Sequence, residues 1–314
     1  MPGIPNLYRA VRARLRPVRA ACRDLHGLWL RHEATSATAS NRSERHALPG
    51  ELVVSLTSYP PRFPTLHLSL RCLLNQSVAP DRIVLWIAHA DIESAPREVL
   101  ALQARGVDIR AAPDFRSFKK IVPALDAFPG AFIATADDDT FYPRRWLQSL
   151  VQSYSPAERH IPSGRVHRIV TDKDGAPAAY GAWRHEIQDD TPSPLNFATG
   201  VGGSLFPPRS LHPDAVRSDL FLRLCPTSDD AWLYWMARRA GWVFKPARPA
   251  FRYRSWPGTQ TCALRLRNAG PWGDNDRQIA NLQRCLPLPE FAPAAGVANQ
   301  VQELVRLAAD RRRC

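Results

Sequence analysis

The 314-residue sequence predicts an α/β protein in which a mostly parallel sheet is flanked by helices. Four short apolar runs have the length and composition of buried strands, at residues 51–58, 82–88, 107–111 and 131–136. Segments with helical spacing of apolar residues alternate with them, at 64–75, 95–105, 117–127 and 143–153. This alternation is typical of a parallel sheet with crossover helices. Ligands bind beyond the carboxyl ends of the strands in such sheets, so we expect a cleft at that edge.

The second half of the chain is less regular. Residues 160–172 and 178–183 flank a KDG turn and predict a hairpin. The glycine-rich loop TGVGG (199–203) runs into a further strand. The segment 227–242 predicts a helix, because Thr227 or Ser228 is suited to cap its start and Gly241 to end it.

The net charge of +13 is carried almost entirely by arginine, since the chain has only four lysines. Codon usage alone explains an arginine-rich composition, but residues 1–50 hold nine arginines against three acids, a net charge of +6. Residues 6–31 alternate basic and apolar positions at helical spacing. Such a segment either contacts an anionic membrane surface or packs as a solvated helix on the main domain.

The domain organisation that we predict has four parts. Residues 1–33 form the basic amphipathic segment, 34–50 a polar linker, 51–290 the catalytic domain and 291–314 a helical tail. No apolar stretch is long enough to span a bilayer or resembles a secretory signal. The six cysteines are scattered, which disfavours a zinc site or a disulfide framework. We therefore expect a cytoplasmic protein, with peripheral contact at the inner face of the plasma membrane as a possible addition.

The strongest chemical signal is the run Asp137-Asp138-Asp139, directly after the fourth strand. Three adjacent carboxylates repel one another unless a cation or hydrogen-bond donors compensate them. If the segment is extended, Asp137 and Asp139 point the same way and form a pair that ligates Mn²⁺ or Mg²⁺, leaving Asp138 to accept hydrogen bonds from a sugar. The alternative is an acid-rich turn in which Asp139 caps the next helix.

Three weaker signals lie elsewhere in the chain. Asp229 and Asp230 begin the helix at 227–242, where the helix dipole favours ionised carboxylates, although capping alone explains one of them. Gly200, Val201, Gly202 and Gly203 form either a ligand-facing wall or an ordinary turn. Lys119 and Lys120 follow Arg116 and either neutralise phosphate or form a solvated face.

Taken in order, these motifs resemble those of one enzyme family. The segments that carry the resemblance are SLTSYPPRF (55–63), QSVAPDRIVLW (76–86), RSFKKIVPAL (116–125), TADDDTFYP (135–143), TGVGGSLFPP (199–208) and TSDDAWLYWMAR (227–238). Over residues 51–285 the chain resembles family-2-like bacterial glycosyltransferases of the GT-A fold, found in capsule and lipopolysaccharide assembly.

The resemblance implies a role for each segment. Asp137-Asp138-Asp139 corresponds to the DxD element that holds the divalent ion and the nucleotide diphosphate. Asp229-Asp230 corresponds to the late acidic pair that supplies the catalytic base, with Asp230 preferred. The loop 200–203 corresponds to the floor between donor and acceptor. The nucleotide pocket is lined by the end of the first strand, Thr57, Ser58 and Tyr59.

The activity implied is a metal-dependent transfer of a sugar, hexosyltransferase-type and inverting. The donor would be a nucleotide-sugar and the acceptor a glycan or lipid-linked glycan, while Arg62, Lys119 or Lys120 would stabilise the phosphates. One departure is that FRYRSWPG (251–258) lacks the histidine that often completes the metal site of GT-A enzymes.

Other functions remain open at this point. A sugar-nucleotide nucleotidyltransferase shares the sheet and the metal, but such enzymes usually carry a glycine-rich basic loop where this chain has TSYPPRF. A basic nucleic-acid-binding protein is suggested by the pI of about 10.1, yet no nucleic-acid motif appears, so we expect no nucleic-acid partner. A glycan-binding protein without catalysis is a third alternative.

Overall fold

The computed structural model describes residues 27–35, 43–259 and 274–291. The strands in chain order are β1 (Glu44–Arg45), β2 (Leu52–Thr57), β3 (Val78–Ala79), β4 (Arg82–Ala88), β5 (Val107–Ala112), β6 (Phe132–Ala136), β7 (Thr140–Phe141), β8 (His160–Ser163), β9 (Val166–Arg168), β10 (Asn196–Ala198), β11 (Leu205–Phe206), β12 (Val243–Pro246) and β13 (Arg254–Ser255). The labelled helices are α1 (Phe63–Leu74), α2 (Arg97–Leu100), α3 (Val122–Ala127), α4 (Trp146–Gln152), α5 (Ser218–Leu224), α6 (Asp229–Arg239) and α7 (Asp274–Cys285).

The central sheet has five strands in the order β11-β6-β2-β4-β5. β6, β2, β4 and β5 are parallel, and β11 pairs antiparallel to β6. All four predicted strands are present within two residues of their predicted ends. The predicted fold class, a mostly parallel α/β sheet flanked by helices with a less regular second half, is confirmed.

Both faces of the sheet are buried, as the near-continuous apolar runs require. On one face, Val53 and Ile133 pack in a core with Trp232 of α6. On the other face, Val54 and Ala134 pack in a second core that includes residues of α1 and α4. The side chains alternate between the two faces along each strand, so the sheet is held from both sides.

Two predicted helices are shorter than expected. Residues 95–105 divide into α2 and the 3₁₀ helix Ala101–Arg105, and residues 117–127 divide into the 3₁₀ helix Arg116–Lys120 and α3. The second break has a clear cause, because Pro123 lacks the N–H that would continue an α-helix from the preceding turn. The helix predicted at 227–242 is present as α6, with Ser228 at its N-cap and Gly241 at a positive φ of 77° beyond its end.

The predicted hairpin is only partly correct. A bridge between Thr171 and Pro177 closes the KDG turn, but residues 178–183 contain the 3₁₀ helix Tyr180–Ala182 rather than a strand. β9 pairs instead with β10, and β8 pairs in parallel with β12. The indole of Trp183 donates to the carbonyl of Ala178 at 2.8 Å, and isolated bridges, such as the one between Arg168 and Arg184, join this segment to the preceding one.

The described part of the N-terminal region packs on the sheet domain. Residues 27–35 are helical, with Leu30 and Ala34 buried in the second core. The segment predicted as a linker differs from expectation, because β1 pairs with β3 and His46 bonds Asp81 at 2.7 Å. Most of the basic segment 6–31 and the tail predicted at 291–314 lie outside the described residues. Within the described residues, no helix is long and apolar enough to cross a membrane.

We predict that Gly203→Ala destabilises the domain by about 2–4 kcal/mol, through both backbone strain and overpacking. Gly203 has φ 68°, and a Cβ at this position would lie 2.4 Å from the carbonyl oxygen of Thr135. Urea unfolding measures the change. Gly130→Ala is the matched control, since nothing lies within 4 Å of its Cβ position. Equal stability of the two variants would contradict the prediction.

Candidate active site

The three aspartates after β6 lie in a turn and not in an extended strand. The predicted alternation of their side chains therefore does not apply. Asp137 contacts Lys120, whereas Asp138 accepts a hydrogen bond from Ser58 and Asp139 one from Arg62. The predicted metal pair, Asp137 and Asp139, is thus divided between two different cations.

Long-range hydrogen bonds fix the shape of the acid turn, residues 137–139. The hydroxyl of Ser69 on α1 donates to the carbonyl oxygens of Asp138 at 2.8 Å and Thr140 at 3.1 Å. The indole of Trp256 donates to Ser69 at 2.7 Å, and its backbone N–H donates to the carbonyl of Asp139 at 2.9 Å. Ser69 and Trp256 are buried, so the turn is held from behind by two distant segments. Sequence inspection did not identify either residue, because nothing local to them signals the contact.

Lys120 links the acid turn to the start of α6. Its Nζ lies 2.9 Å from Oδ1 of Asp137 and 2.9 Å from Oδ2 of Asp229. The side chains of Lys120 and Asp229 are only 7% and 8% exposed, so both charges are largely withdrawn from water. Burial acts to lower the pKa of Lys120, but the charges of Asp137, Asp229 and Asp230 outweigh it and raise that pKa well above its ordinary value. The lysine is therefore a permanent cation among Asp137, Asp229 and Asp230, the three carboxylates of the acid cluster.

Gly200 lies against the charged groups of this cluster. A Cβ at Gly200 would be 2.7 Å from Nζ of Lys120, 3.2 Å from Oδ1 of Asp230 and 3.5 Å from Oδ1 of Asp137. A side chain at this position would therefore displace the ammonium of Lys120. Asp230 is partly exposed in the cleft, and burial, followed by the charge of Asp229, raises its pKa to about 7.

The rest of the glycine loop is a structural junction. Gly200–Gly202 forms one 3₁₀ turn, and the carbonyl of Gly202 accepts a hydrogen bond from the indole of Trp146 at 2.8 Å. Val201 is partly exposed. The loop therefore both lines the site and joins it to α4.

The end of β2 supplies a second set of contacts. Ser58 donates to Asp138 at 2.5 Å, and the buried guanidinium of Arg62 pairs with Asp139. Burial raises the pKa of Asp138 to about 7, although the Ser58 hydrogen bond acts in the opposite direction. Tyr59 is 38% exposed beside this set. Four of the predicted donor-site residues thus meet at one edge of the sheet, as expected from the parallel topology.

Two predicted site residues have other partners. The hydroxyl of Thr57 donates to the carbonyl of Trp86 at 2.8 Å, so this side chain links β2 to β4. The buried Lys119 pairs with Asp114 at 2.5 Å within its own loop. Lys120, but not Lys119, therefore contacts the acid cluster.

Asp137 and Asp230 are a second pair of carboxylates to compare with the predicted metal pair, Asp137 and Asp139. No group of three or more His, Cys, Asp or Glu side chains within the described ranges is arranged to hold a metal. Asp137 and Asp230 each have an oxygen within 3.5 Å of the position that a Cβ at Gly200 would take, beside the ammonium of Lys120, which lies 2.7 Å from it. Mg²⁺ is commonly bound by one or two carboxylates together with substrate phosphates and water, so two carboxylates are sufficient here.

Comparison with known proteins gives similarity of fold alone. No family model matches the sequence, and no curated protein matches it. A solved structure of CMP:2-keto-3-deoxy-manno-octonic acid synthetase complexed with CTP is 14% identical, with 67% of this chain and 93% of that chain covered and a TM-score of 0.35. The inositol-1-phosphate CTP transferase from T. maritima is 10% identical, with 68% and 92% covered and a TM-score of 0.37.

These findings correct the predicted activity. The two similar structures are a CMP-sugar acid synthetase and a CTP transferase, and neither is a glycosyltransferase. Their names do not bear out the prediction of a glycosyltransferase of the hexosyltransferase type, and nucleotidyl transfer, which the sequence left open as an alternative, agrees better with them. The GT-A-like, Rossmann-type sheet is confirmed, but membership of a glycosyltransferase family is not shown.

We predict that Asp138→Asn raises the free energy of unfolding at pH 8 by about 1–4 kcal/mol and changes it little at pH 4. The pKa of Asp138 in the folded state is about 7, against an ordinary value of 3.8. The folded state therefore holds this proton more tightly, and stability is lost as pH rises from about 4 through 7. An asparagine oxygen still accepts from Ser58 but carries no charge. Urea unfolding at both pH values measures the effect, and an equal difference at both would contradict the assignment.

Proposed function

We propose that the protein is a divalent-ion-dependent nucleotidyltransferase that uses a nucleoside triphosphate as donor and a sugar or polyol as acceptor. The observation that carries this proposal is the convergence of Asp137, Asp229 and Asp230 with the ammonium of Lys120 above Gly200. These groups lie at the carboxyl ends of parallel strands, where ligands bind in sheets of this type. Carboxylates beside a fixed cation suit a phosphate chain that is accompanied by a metal ion.

In this proposal Asp137 and Asp230 hold the divalent ion, which supplies charge neutralisation to the phosphates when it is bound. Both residues are partly exposed, whereas Asp229 is buried against Lys120. Asp229 fixes the lysine from behind, so that its ammonium remains at the floor of the site. Lys120 then offsets the charge that develops on the departing pyrophosphate.

The bond changes are those of a single displacement at phosphorus. An oxygen of the acceptor bonds to the α-phosphorus of the donor, while the bond from that phosphorus to the bridging oxygen of the pyrophosphate breaks. The bonding pair leaves with pyrophosphate, and the proton of an acceptor hydroxyl passes to water in the cleft. The protein contributes mainly position and charge, as is general for phosphoryl transfer.

The sequence after β2 lacks the glycine-rich basic loop that nucleotidyltransferases usually carry, which argues against nucleotidyl transfer. The contacts answer this objection, because cations reach the cleft from other elements. Arg62 follows β2 and pairs with Asp139, and Lys120 arrives from the connection between β5 and α3. Gly200 supplies the close backbone approach from a loop late in the chain. The nucleoside is expected beside Ser58 and Tyr59, where Tyr59 offers an exposed ring.

We predict that one nucleoside triphosphate, added with Mn²⁺ or Mg²⁺, raises the melting temperature, and that pyrophosphate is released when an acceptor is present. At a ligand concentration about 100-fold above Kd the stabilisation is about 2.7 kcal/mol, which corresponds to a shift of about 5 °C. The double variant Asp137→Ala/Asp230→Ala should lose the metal-dependent shift, because it loses both proposed ligands.

Asp219→Asn is the control, since Asp219 is an exposed residue that pairs locally with Arg217. It should retain the full shift. A folded wild-type protein that responds to none of ATP, CTP, GTP and UTP with metal would refute nucleotidyl transfer. A shift that survives in the double variant would refute the assigned metal ligands.

A further inference from the structure

A second cation lies beside the glycine loop, apart from the acid cluster. Arg165 follows β8, and its Nε donates to Oγ1 of Thr199 at 2.7 Å. Thr199 is buried and directly precedes Gly200. It lines a small cavity together with Lys120 and Asp230. The guanidinium of Arg165 is thus anchored to a residue of the cleft wall.

The terminal nitrogens of Arg165 are poorly neutralised compared with those of neighbouring arginines. About a third of the side chain is exposed (33%), and its ion pair with Glu186 is long, at 3.6 Å, and involves a carboxylate that is 64% exposed. Arg168, in contrast, donates to Asn196 at 2.7 Å and Asp189 at 3.2 Å. Exposed ion pairs such as Arg165–Glu186 contribute little to stability. The two terminal nitrogens of the Arg165 guanidinium therefore remain available to a stronger partner.

Glu186 connects Arg165 to an aromatic wall formed by His167, Tyr180 and His185, because its backbone N–H donates to Nδ1 of His167 at 3.0 Å. The rings of His167 and His185 are 4.4 Å apart at their centroids, and those of Tyr180 and His185 are 5.6 Å apart. His185 is exposed and Tyr180 is half-buried, so the wall offers ring surface to the solvent. Burial and then the charge of Asp230 raise the pKa of Tyr180 to about 12, while Arg165 acts in the opposite direction. Tyr180 therefore lies within electrostatic reach of both Asp230 and Arg165.

We propose that Arg165 binds an anionic group of the acceptor, a phosphate or a carboxylate, with the sugar ring against Tyr180 and His185. The assignment of this ligand as the acceptor rests on the proposed nucleotidyl transfer. The planar fork of arginine matches either anion with two parallel hydrogen bonds. Ring faces beside it suit the apolar side of a sugar.

Charge gives the reason for a separate cation at this position. Asp137, Asp229 and Asp230 repel an anionic acceptor that approaches the donor phosphates. Lys120 is paired with two of these carboxylates, and the proposed function assigns its remaining charge to the donor phosphates. An acceptor that carries a negative charge therefore needs its own counter-charge, which Arg165 supplies from the other side of Thr199.

The test is direct binding without nucleotide, measured by calorimetry on the full chain. Glucose 1-phosphate, glucuronate and glucose are titrated into the wild type and into Arg165→Met, Arg165→Lys and Arg168→Met. We expect an anionic sugar to bind the wild type and Arg168→Met equally and to bind Arg165→Met about 10- to 100-fold more weakly, as for loss of a charged hydrogen bond. Arg165→Lys should be intermediate because it retains charge without the fork.

The two anionic sugars distinguish a phosphate from a carboxylate ligand. If neither binds the wild type at 20 mM, or if Arg165→Met binds as well as the wild type, the inference is overturned. Pyrophosphate release is measured on the same samples. Anion binding that depends on Arg165, in a protein that releases no pyrophosphate from any nucleoside triphosphate, would retain the anion site and refute the nucleotidyl transfer.

Discussion

The buried ammonium of Lys120 is the interaction on which the rest of the site depends. It is shared between Asp137, directly after strand β6 of the central sheet, and Asp229, in the first turn of α6. Removing either carboxylate from water is costly, and in this largely buried setting only a close opposite charge offsets that cost. The lysine therefore joins the parallel sheet to the helical second half. It also fixes the distance between the two acidic segments. The ammonium can lie between them because Gly200, which faces it, has no side chain.

The acid turn has a buried side, which faces α1 and Trp256, and a partly exposed side, which faces the cleft. Behind it, Ser69 and Trp256 hold the backbone, and Arg62 neutralises Asp139. In front, Asp137, Asp138 and Asp230 remain partly exposed. Burial raises the pKa of both Asp138 and Asp230 to about 7. The partly exposed side thus lacks part of its counter-charge, which the divalent ion of the proposed function would supply.

Sequence reasoning succeeded where the information is local. The parallel strands follow from apolar runs, and their carboxyl ends bring Ser58 near Asp138 without further assumption. It failed where partners are distant in sequence. Asp137 shares Lys120 with Asp229, whereas Asp139 pairs with Arg62, and this division depends on a turn that Ser69 and Trp256 hold from elsewhere in the chain. The hairpin predicted at 160–183 is only partly correct for a similar reason, since β9 pairs with β10, which is distant in sequence. The type of transfer could not be read from the acids, because paired carboxylates and a metal serve several reactions at phosphorus and at sugar carbon.

The most direct test of this account is the free energy of unfolding of Lys120→Met, compared with the triple variant Lys120→Met/Asp137→Asn/Asp229→Asn. If the ammonium compensates both carboxylates, the single variant should lose about 3–5 kcal/mol, because it leaves buried charges unpaired. The triple variant should recover most of that loss, since it removes those charges as well. A single variant that loses less than about 1 kcal/mol, or a triple variant no more stable than the single one, would contradict the central role of Lys120.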